Sequence, residues 1–358
     1  MNKHKVFFGR AAAILMLLLL LASCGAGRRA TTEAGELYEV DFYTFSNGTF
    51  TYIAGIAIAE TVNELHPWVR ITPVESPGSG PNELMMYEAD DATRRRTLYF
   101  AVAYNAYKGI NAFQGRQHTR SKRAFNIGVA LSVLVSTDAN IRRIEDLAGR
   151  QVGIRLAGST SNPYFMALFS DANVRDVVFN YLDWNAGAEG ALSGSLSGWV
   201  SGFSVVAPDM QEWRGTPVTT EFLARARTLN FIDFNLETGR RLRTVAGGPF
   251  EDFYAVVTRV PALALDPRQT SPTYGSMNDM GMFVDQDFPE DVLFEIMRIV
   301  GSNRERLMSF HPQCEFITPQ TMAIYTWPEE FHPGALRYFN SVGVRPTFLE
   351  DYAMQLAN

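Results

Sequence analysis

Apolar and polar positions along this chain switch between a period of two and a period near 3.6. Tyr38 to Phe45 alternates and predicts a first strand. Ile53, Ile56, Ala57, Val62 and Leu65 then recur at helical spacing. That helix ends at His66-Pro67, because proline disfavours helix in the residue before it. Val69 to Val74 reads as a second strand, Glu83 to Ala89 as a short helix, Thr97 to Val102 as a third strand and Tyr104 to Phe113 as helical. Gly115 to Arg123 is polar and basic and reads as a surface loop holding His118. Phe125 to Ser136 is a β-type run long enough to cross between two lobes.

Beyond it, Ile141 to Ala148 predicts a short helix closed by Gly149, leading into a strand at Gln151 to Ile154 and a helix opening at Pro163. Further strands are expected at Asp176 to Leu182, Trp199 to Ala207, Phe253 to Thr258 and Met280 to Val284. Helices are expected at Ala186 to Leu192 and Phe222 to Leu229. Another starts at Glu290, where Val292, Leu293, Ile296, Met297 and Val300 share a face. Arg304 to Phe310 continues it, and Thr318 to Trp327 reads as a further helix. Strands alternating with helices predict an α/β fold, each sheet layered by helices. Ligands in such sheets bind at the carboxyl ends of the strands.

The first residues break this pattern. Lys3, Lys5 and Arg10 precede an unbroken apolar run from Ala11 to Ala22, the order of an export signal and too short for an ordinary membrane span. It closes on Leu21-Ala22-Ser23-Cys24-Gly25, which resembles a bacterial lipobox with Cys24 as the lipidated residue. Residues 1–23 are therefore read as a lipoprotein-type signal and 24–37 as a tether. The formal charge of −6 grows more negative once the basic leader is removed, which argues against a nucleic-acid partner. The chain has 2 Cys. With Cys24 committed to lipid, Cys314 is expected as a buried free thiol rather than part of a disulfide framework.

Three loops at predicted strand ends carry the candidate chemistry: Thr44–Thr51, Ser76–Asn82 and Arg155–Asn162. They hold Ser, Thr, Asn and Gly, which donate hydrogen bonds without reacting. The first and third repeat one device, a strand, a hydroxyl- and amide-rich loop, then a helix N-terminus, which suits an anion. Thr49 or Thr51 acting as a plain helix cap is the competing reading. Catalysis finds little support. His66, His311 and His332 each precede a proline, no histidine pair has metal-ligand spacing, and phosphate-loop and dinucleotide motifs are absent. No cofactor and no metal are expected.

Taken in order, these motifs resemble the TAXI-type solute-binding proteins of tripartite ATP-independent periplasmic (TRAP) transporters. The resemblance spans Val40 to Val344. It rests on the Thr44–Thr51 loop, Gly78-Ser79-Gly80-Pro81-Asn82, Ala103-Tyr104-Asn105-Ala106-Tyr107-Lys108-Gly109, Ile141 to Gly153, Gly158-Ser159-Thr160-Ser161 and His332 to Tyr338. The chain departs from the family at Tyr99-Phe100-Ala101, where Gln-Ser-Asp is usual, at Gly194 to Gly198, which lacks an Asp, and at Ser46-Asn47, where a glycine pair is common.

The resemblance implies a two-lobed periplasmic binding protein-like fold joined by crossover strands, with lobe 1 at 38–130 plus 284–358 and lobe 2 at 131–283. It implies an exported, lipid-anchored binding protein that closes on a small organic acid or amino acid, such as glutamate or 2-oxoglutarate, and docks on TRAP membrane subunits. The expected contacts are Thr44, Ser46, Asn47, Thr49, Tyr52, Ser79, Asn82, Tyr104, Arg155, Ser159, Thr160 and Ser161. Arg155 is the candidate partner for a carboxylate. Ser159→Ala with Asn82→Ala is expected to weaken binding without unfolding. A receptor for an ATP-driven importer or sensor kinase, a lipid-anchored hydrolase and a surface antigen on the same fold remain open alternatives.

Overall fold

A computed structural model describes residues 37–47, 49–110, 113–157, 159, 161–205, 212–233, 256–325 and 331–349. The leader, the tether up to Glu36, Cys24, Gly158 and Thr160 lie outside the described residues. In chain order the first elements are β1 (Tyr38–Tyr43), α1 (Phe50–Leu65), β2 (Val69–Val74), α2 (Ser79–Glu88), α3 (Asp91–Arg95), β3 (Thr97–Ala101), α4 (Tyr104–Lys108) and β4 (Ser121–Ser136). A 3-10 turn at Ile144–Leu147 leads to β5 (Gln151–Arg155), α5 (Asn162–Asp171), β6 (Val178–Leu182), α6 (Trp184–Ser193), β7 (Gly198–Val205), β8 (Trp213–Gly215), α7 (Pro217–Arg225) and β9 (Asn230–Phe231). The remainder comprises β10 (Val256–Val260), β11 (Thr273–Asp285), α8 (Glu290–Ser302), α9 (Arg304–Phe310), α10 (Pro319–Met322), β12 (Ile324–Tyr325), α11 (Pro333–Val342) and β13 (Thr347–Phe348).

The main sheet has 11 strands in the order β2-β1-β3-β11-β4-β7-β5-β6, with β8, β9 and β10 added at its margins. Its directions decide where a site can form. β1, β2 and β3 are parallel to one another. β11 runs against both β3 and β4, so β3 points the same way as β4. β7 runs against β4, and β5 and β6 are parallel to β7. The two parallel sets therefore point their carboxyl ends at each other along β4.

The register locates the meeting point. Ala101, the last residue of β3, lies opposite Gly281, and Gly281 lies opposite Asn126. Val205, the last residue of β7, lies opposite Val129. Asn126 and Val129 are about 10 Å apart along an extended strand. The ladder between β4 and β11 is shifted here, between Asp279 and Gly281. The amides of Gly128 and Met280 bond to Oδ1 of Asn126 instead, at 3.2 and 2.9 Å.

Each set of strands carries its own apolar cluster. α1 and α8 press Ala54, Ile58, Val62, Leu293, Ile296 and Val300 onto Phe42, Ile71 and Leu98. The shared face read from the sequence of α8 is the one buried. On the other side, Trp199, Phe203 and Phe222 cluster with Leu131 and Val133, while Tyr164, Phe165 and Leu168 of α5 cover Val152 and Ile154. Cys314 is a buried free thiol, pushed by burial up to about 12, and so unreactive.

Several expectations change: the loop read at Ser76–Asn82 is helical from Ser79, and the helix read at Phe222 to Leu229 runs from Pro217 to Arg225. The stretch from Gly115 to Arg123 is not a surface loop throughout, because β4 begins at Ser121, and His118 and Arg123 are buried. Each finds a carboxylate: His118 Nδ1 lies 3.1 Å from Glu83, and Arg123 is paired with Asp279. Buried charge is tolerated where such a partner exists. β11 extends back to Thr273, well before the expected Met280. The stretch after Thr318 forms only one helical turn before turning into β12.

Candidate functional site

The carboxyl-end loops of β1, β2 and β3 form one row. Thr49 caps α1: its hydroxyl accepts from the Tyr52 amide at 3.3 Å and donates to the Ser46 carbonyl at 2.7 Å. Thr44 is fully buried, and its hydroxyl donates to the Val74 carbonyl at 3.1 Å. Asn82 is buried too. Its Nδ2 donates to the carbonyls of Thr44 at 3.1 Å and Phe100 at 2.9 Å, tying the ends of β1 and β3 together. Asn47 is exposed, and its amide donates to Glu75 Oε1 at 2.9 Å. Ser46, Tyr52 and Ser79 are partly exposed, whereas Tyr104 is mostly buried at the start of α4.

This row reaches the meeting point on β4. A Cβ on Gly128 would come 2.6 Å from Met280 Cε and 3.6 Å from Phe50 Cε1, so the start of α1 sits over the middle of that strand. Tyr99, at the first of the three departing positions, turns the other way. It is fully buried, its hydroxyl is bonded to Ser121, and burial raises its pKa well above the usual value.

The opposing row is built around Arg155, the last residue of β5. Asn162, the first residue of α5, does for this strand end what Asn82 does for the other. Its Oδ1 accepts from the Arg155 amide at 2.9 Å, and its Nδ2 donates to the carbonyls of Arg155 and Leu156 at 2.9 and 3.0 Å. Ser159 and Ser161 place their hydroxyls 3.2 Å apart in the same loop.

The Arg155 guanidinium lies 3.4 Å over the ring of Trp184, the first residue of α6. That ring stands where a Gly202 side chain would be, since a Cβ there would come 2.2 Å from Trp184 Cη2. Trp199 meets it edge-on at 6.3 Å. Arg155 is only 6% exposed, and its NH1 nitrogen has no hydrogen-bond partner. Burial pushes the guanidinium down to about 9, and Asp183 opposes that shift. A buried cation with an unused donor is costly. An arriving anion would remove that cost.

Asn82→Ala is thus not a silent probe of binding. It would take a donor from the Phe100 carbonyl and leave the Thr44 carbonyl with Ser76 Oγ, and we expect a loss of about 1 kcal/mol in urea unfolding. A change under a few tenths would show that the staple contributes nothing. The Asn162 staple and the Trp184 platform were not among the expected contacts. The Gly-Ser-Thr-Ser-Asn-Pro run hinted at the first, since asparagine at a helix start commonly bonds nearby backbone. Trp184 gave no local signal. A hollow of about 510 Å³ lies elsewhere, lined by Thr137, Ser193 and Arg225, and that arginine is tied to Glu189 and Glu221.

Comparison with known proteins fits this architecture. Among solved structures, MatC from Rhodopseudomonas palustris with bound malate superposes with a TM-score of 0.50 at 11% identity, over 88% of this chain and 98% of that one. A TctC solute binding protein from Polaromonas gives 0.44 at 13% identity, over 79% and 90%. The periplasmic aliphatic sulphonate binding protein SsuA from Escherichia coli gives 0.41 at 13%, over 89% and 84%. The fold is that of periplasmic binding proteins. No curated protein matches the chain in sequence. A model of the NMT1-like family matches residues 42–343, and the chain belongs to that family.

Proposed function

We propose that this chain is an exported solute-binding protein that captures a small carboxylate between the two rows of loops and delivers it to a membrane transporter. The observation that carries this is Arg155, a buried guanidinium at a strand end with an unpartnered nitrogen, held flat by Trp184 and followed by the Ser159 and Ser161 hydroxyls. Guanidinium matches a carboxylate edge to edge, and such charge-assisted bonds are the strong ones. Binding rather than catalysis follows from what surrounds it among the described residues: serine hydroxyls, an indole ring and amides, with no activated nucleophile.

In this reading lobe 1 (38–130 plus 284–358) and lobe 2 (131–283) hinge about β4 and β11 and close because both rows gain contacts to one solute. Glutamate and 2-oxoglutarate are the first solutes to test. The transporter is of the TRAP type, and Cys24 carries the lipid that keeps the protein at the membrane. Native mass spectrometry of freshly purified protein tests two of these points at once. It should show a co-purifying small carboxylate and a lipid-modified mature N-terminus at Cys24. No ligand in that spectrum, and no thermal shift across a library of organic and amino acids, would sink the binding reading. An unmodified or differently cleaved N-terminus would sink the anchor. An ATP-driven permease encoded beside the gene, instead of TRAP membrane subunits, would replace that partner.

A further inference from the structure

The two rows of loops use their polar groups differently, and the difference bears on the solute. In the first row Thr44, Thr49, Ser76 and Asn82 spend their hydrogen bonds on the protein. Ser76 Oγ, for example, donates to the Thr44 carbonyl at 3.0 Å and accepts from the Gly78 amide at 3.3 Å. What this row leaves partly exposed includes three aromatic rings, Phe45, Tyr52 and Phe100, beside the hydroxyl residues Ser46, Thr49 and Ser79. The Phe45 and Phe100 rings meet edge to face at 5.8 Å. Gly78 makes room for them. Its φ is +128°, and a Cβ there would come 2.0 Å from Phe45 Cε2. The meeting point on β4 carries apolar and polar groups together, with Phe50 and Met280 over Gly128 and the Asn126 side chain bonded to the Gly128 and Met280 amides.

Charge follows the same division. Thr44 to Tyr52, Glu75 to Asn82 and Ala101 to Asn105 contain no Lys or Arg. They do contain Glu75, whose carboxylate already holds the Asn47 amide, a backbone donor that could otherwise serve an anion. The second row supplies the cation, Arg155.

We propose that the solute bears a single carboxylate, held at Arg155, on an apolar body that packs against Phe45, Tyr52 and Phe100. Its class is a branched-chain or aromatic monocarboxylate. This rests on the reading above that a carboxylate is captured at Arg155, and it sets aside the dicarboxylates glutamate and 2-oxoglutarate named there. A dicarboxylate reaching across would bring its second charge to a row that offers Glu75 and aromatic faces, where repulsion and lost hydration oppose it. An apolar body gains from the same surfaces, because each buried methylene leaves water.

The test is calorimetric titration of the dialysed protein with phenylacetate, 4-methylpentanoate, malate and 2-oxoglutarate, repeated on Tyr52→Ser and Arg155→Met. Phenylacetate and 4-methylpentanoate should bind about tenfold or more tighter than the two dicarboxylates. Tyr52→Ser should weaken phenylacetate several-fold and leave malate unchanged, and Arg155→Met should weaken all four. Tighter binding of malate or 2-oxoglutarate, still dependent on Arg155, would overturn the apolar body and leave the carboxylate reading standing. Binding that ignores Arg155→Met, or no binding of any of the four, would overturn both.

Discussion

Arg155→Met should weaken carboxylate capture about a hundredfold and, in the same protein, slightly raise the melting temperature measured without solute. The two effects have one cause. The guanidinium is nearly buried, and its NH1 nitrogen has no hydrogen-bond partner in the protein. Burial lowers its pKa to about 9, which for a base means that the folded state disfavours the charged form. At neutral pH the group is nevertheless charged, so the empty protein carries the penalty throughout that range. Stability from this group would recover only as pH rises past about 9. Replacing it with methionine removes an unsatisfied buried donor, worth about 1–3 kcal/mol. The stacking on Trp184 that is lost offsets ~1–2 kcal/mol of that. The net gain is about 0.5 kcal/mol, roughly 1–2 °C in a chain of this size. With a bound carboxylate the sign reverses, because the variant lacks the charge-assisted bonds. Affinity should fall roughly a hundredfold, ~3 kcal/mol. Differential scanning fluorimetry with and without the solute reads both effects. A variant that melts lower when empty and binds as before would show that Arg155 is a structural residue covering Trp184.

How much of this was legible in the sequence depends on what sort of signal each residue leaves. The periodic elements were legible, since α8 and β2 follow directly from spacing. The position of Arg155 at a strand end before a hydroxyl-rich loop was legible, and the structure shows it as the last residue of β5. The fate of the other polar residues was not. Nothing local distinguishes an asparagine that grips a ligand from one that ties two strands, and Asn82 does the second through carbonyls at Thr44 and Phe100, distant in sequence. The same applies to His118, which looks like a loop residue until Glu83 is brought to it by α2. The early part of β11 was missed for another reason. Gly275, Ser276, Asn278 and Asp279 are poor strand formers, and they are strand because β10 pairs with Gly275 and Ser276 while β4 pairs with Ser276, Asn278 and Asp279.

Asp279→Ala should cost more stability than Asn82→Ala, about 3–5 kcal/mol. Asp279 and Arg123 pair on the two crossing strands beside the register shift, and they are 3% and 1% exposed. Removing the carboxylate leaves a buried arginine without that partner, whereas removing both charges does not. The surroundings are shaped for the pair. Arg123 also lies 4.8 Å over the Phe283 ring, and a Cβ on Gly281 would come 2.7 Å from Arg123 NH1 and 3.2 Å from Asp279 Oδ2. Backbone pairing is already broken at this point, with Asn126 Oδ1 serving the orphaned amides of Gly128 and Met280. Side chains therefore do more than usual to hold β4 against β11, and both rows of loops hang from those strands. We expect the midpoint of Asp279→Ala to fall on the order of 10 °C, and Arg123→Met with Asp279→Leu to recover most of it, since an apolar pair needs no counter-charge. If Asp279→Ala costs under about 1 kcal/mol in urea unfolding, the pair behaves like a solvated one and the crossing is held by its apolar neighbours. If the double variant is as unstable as the single one, the carboxylate acts through partners other than Arg123.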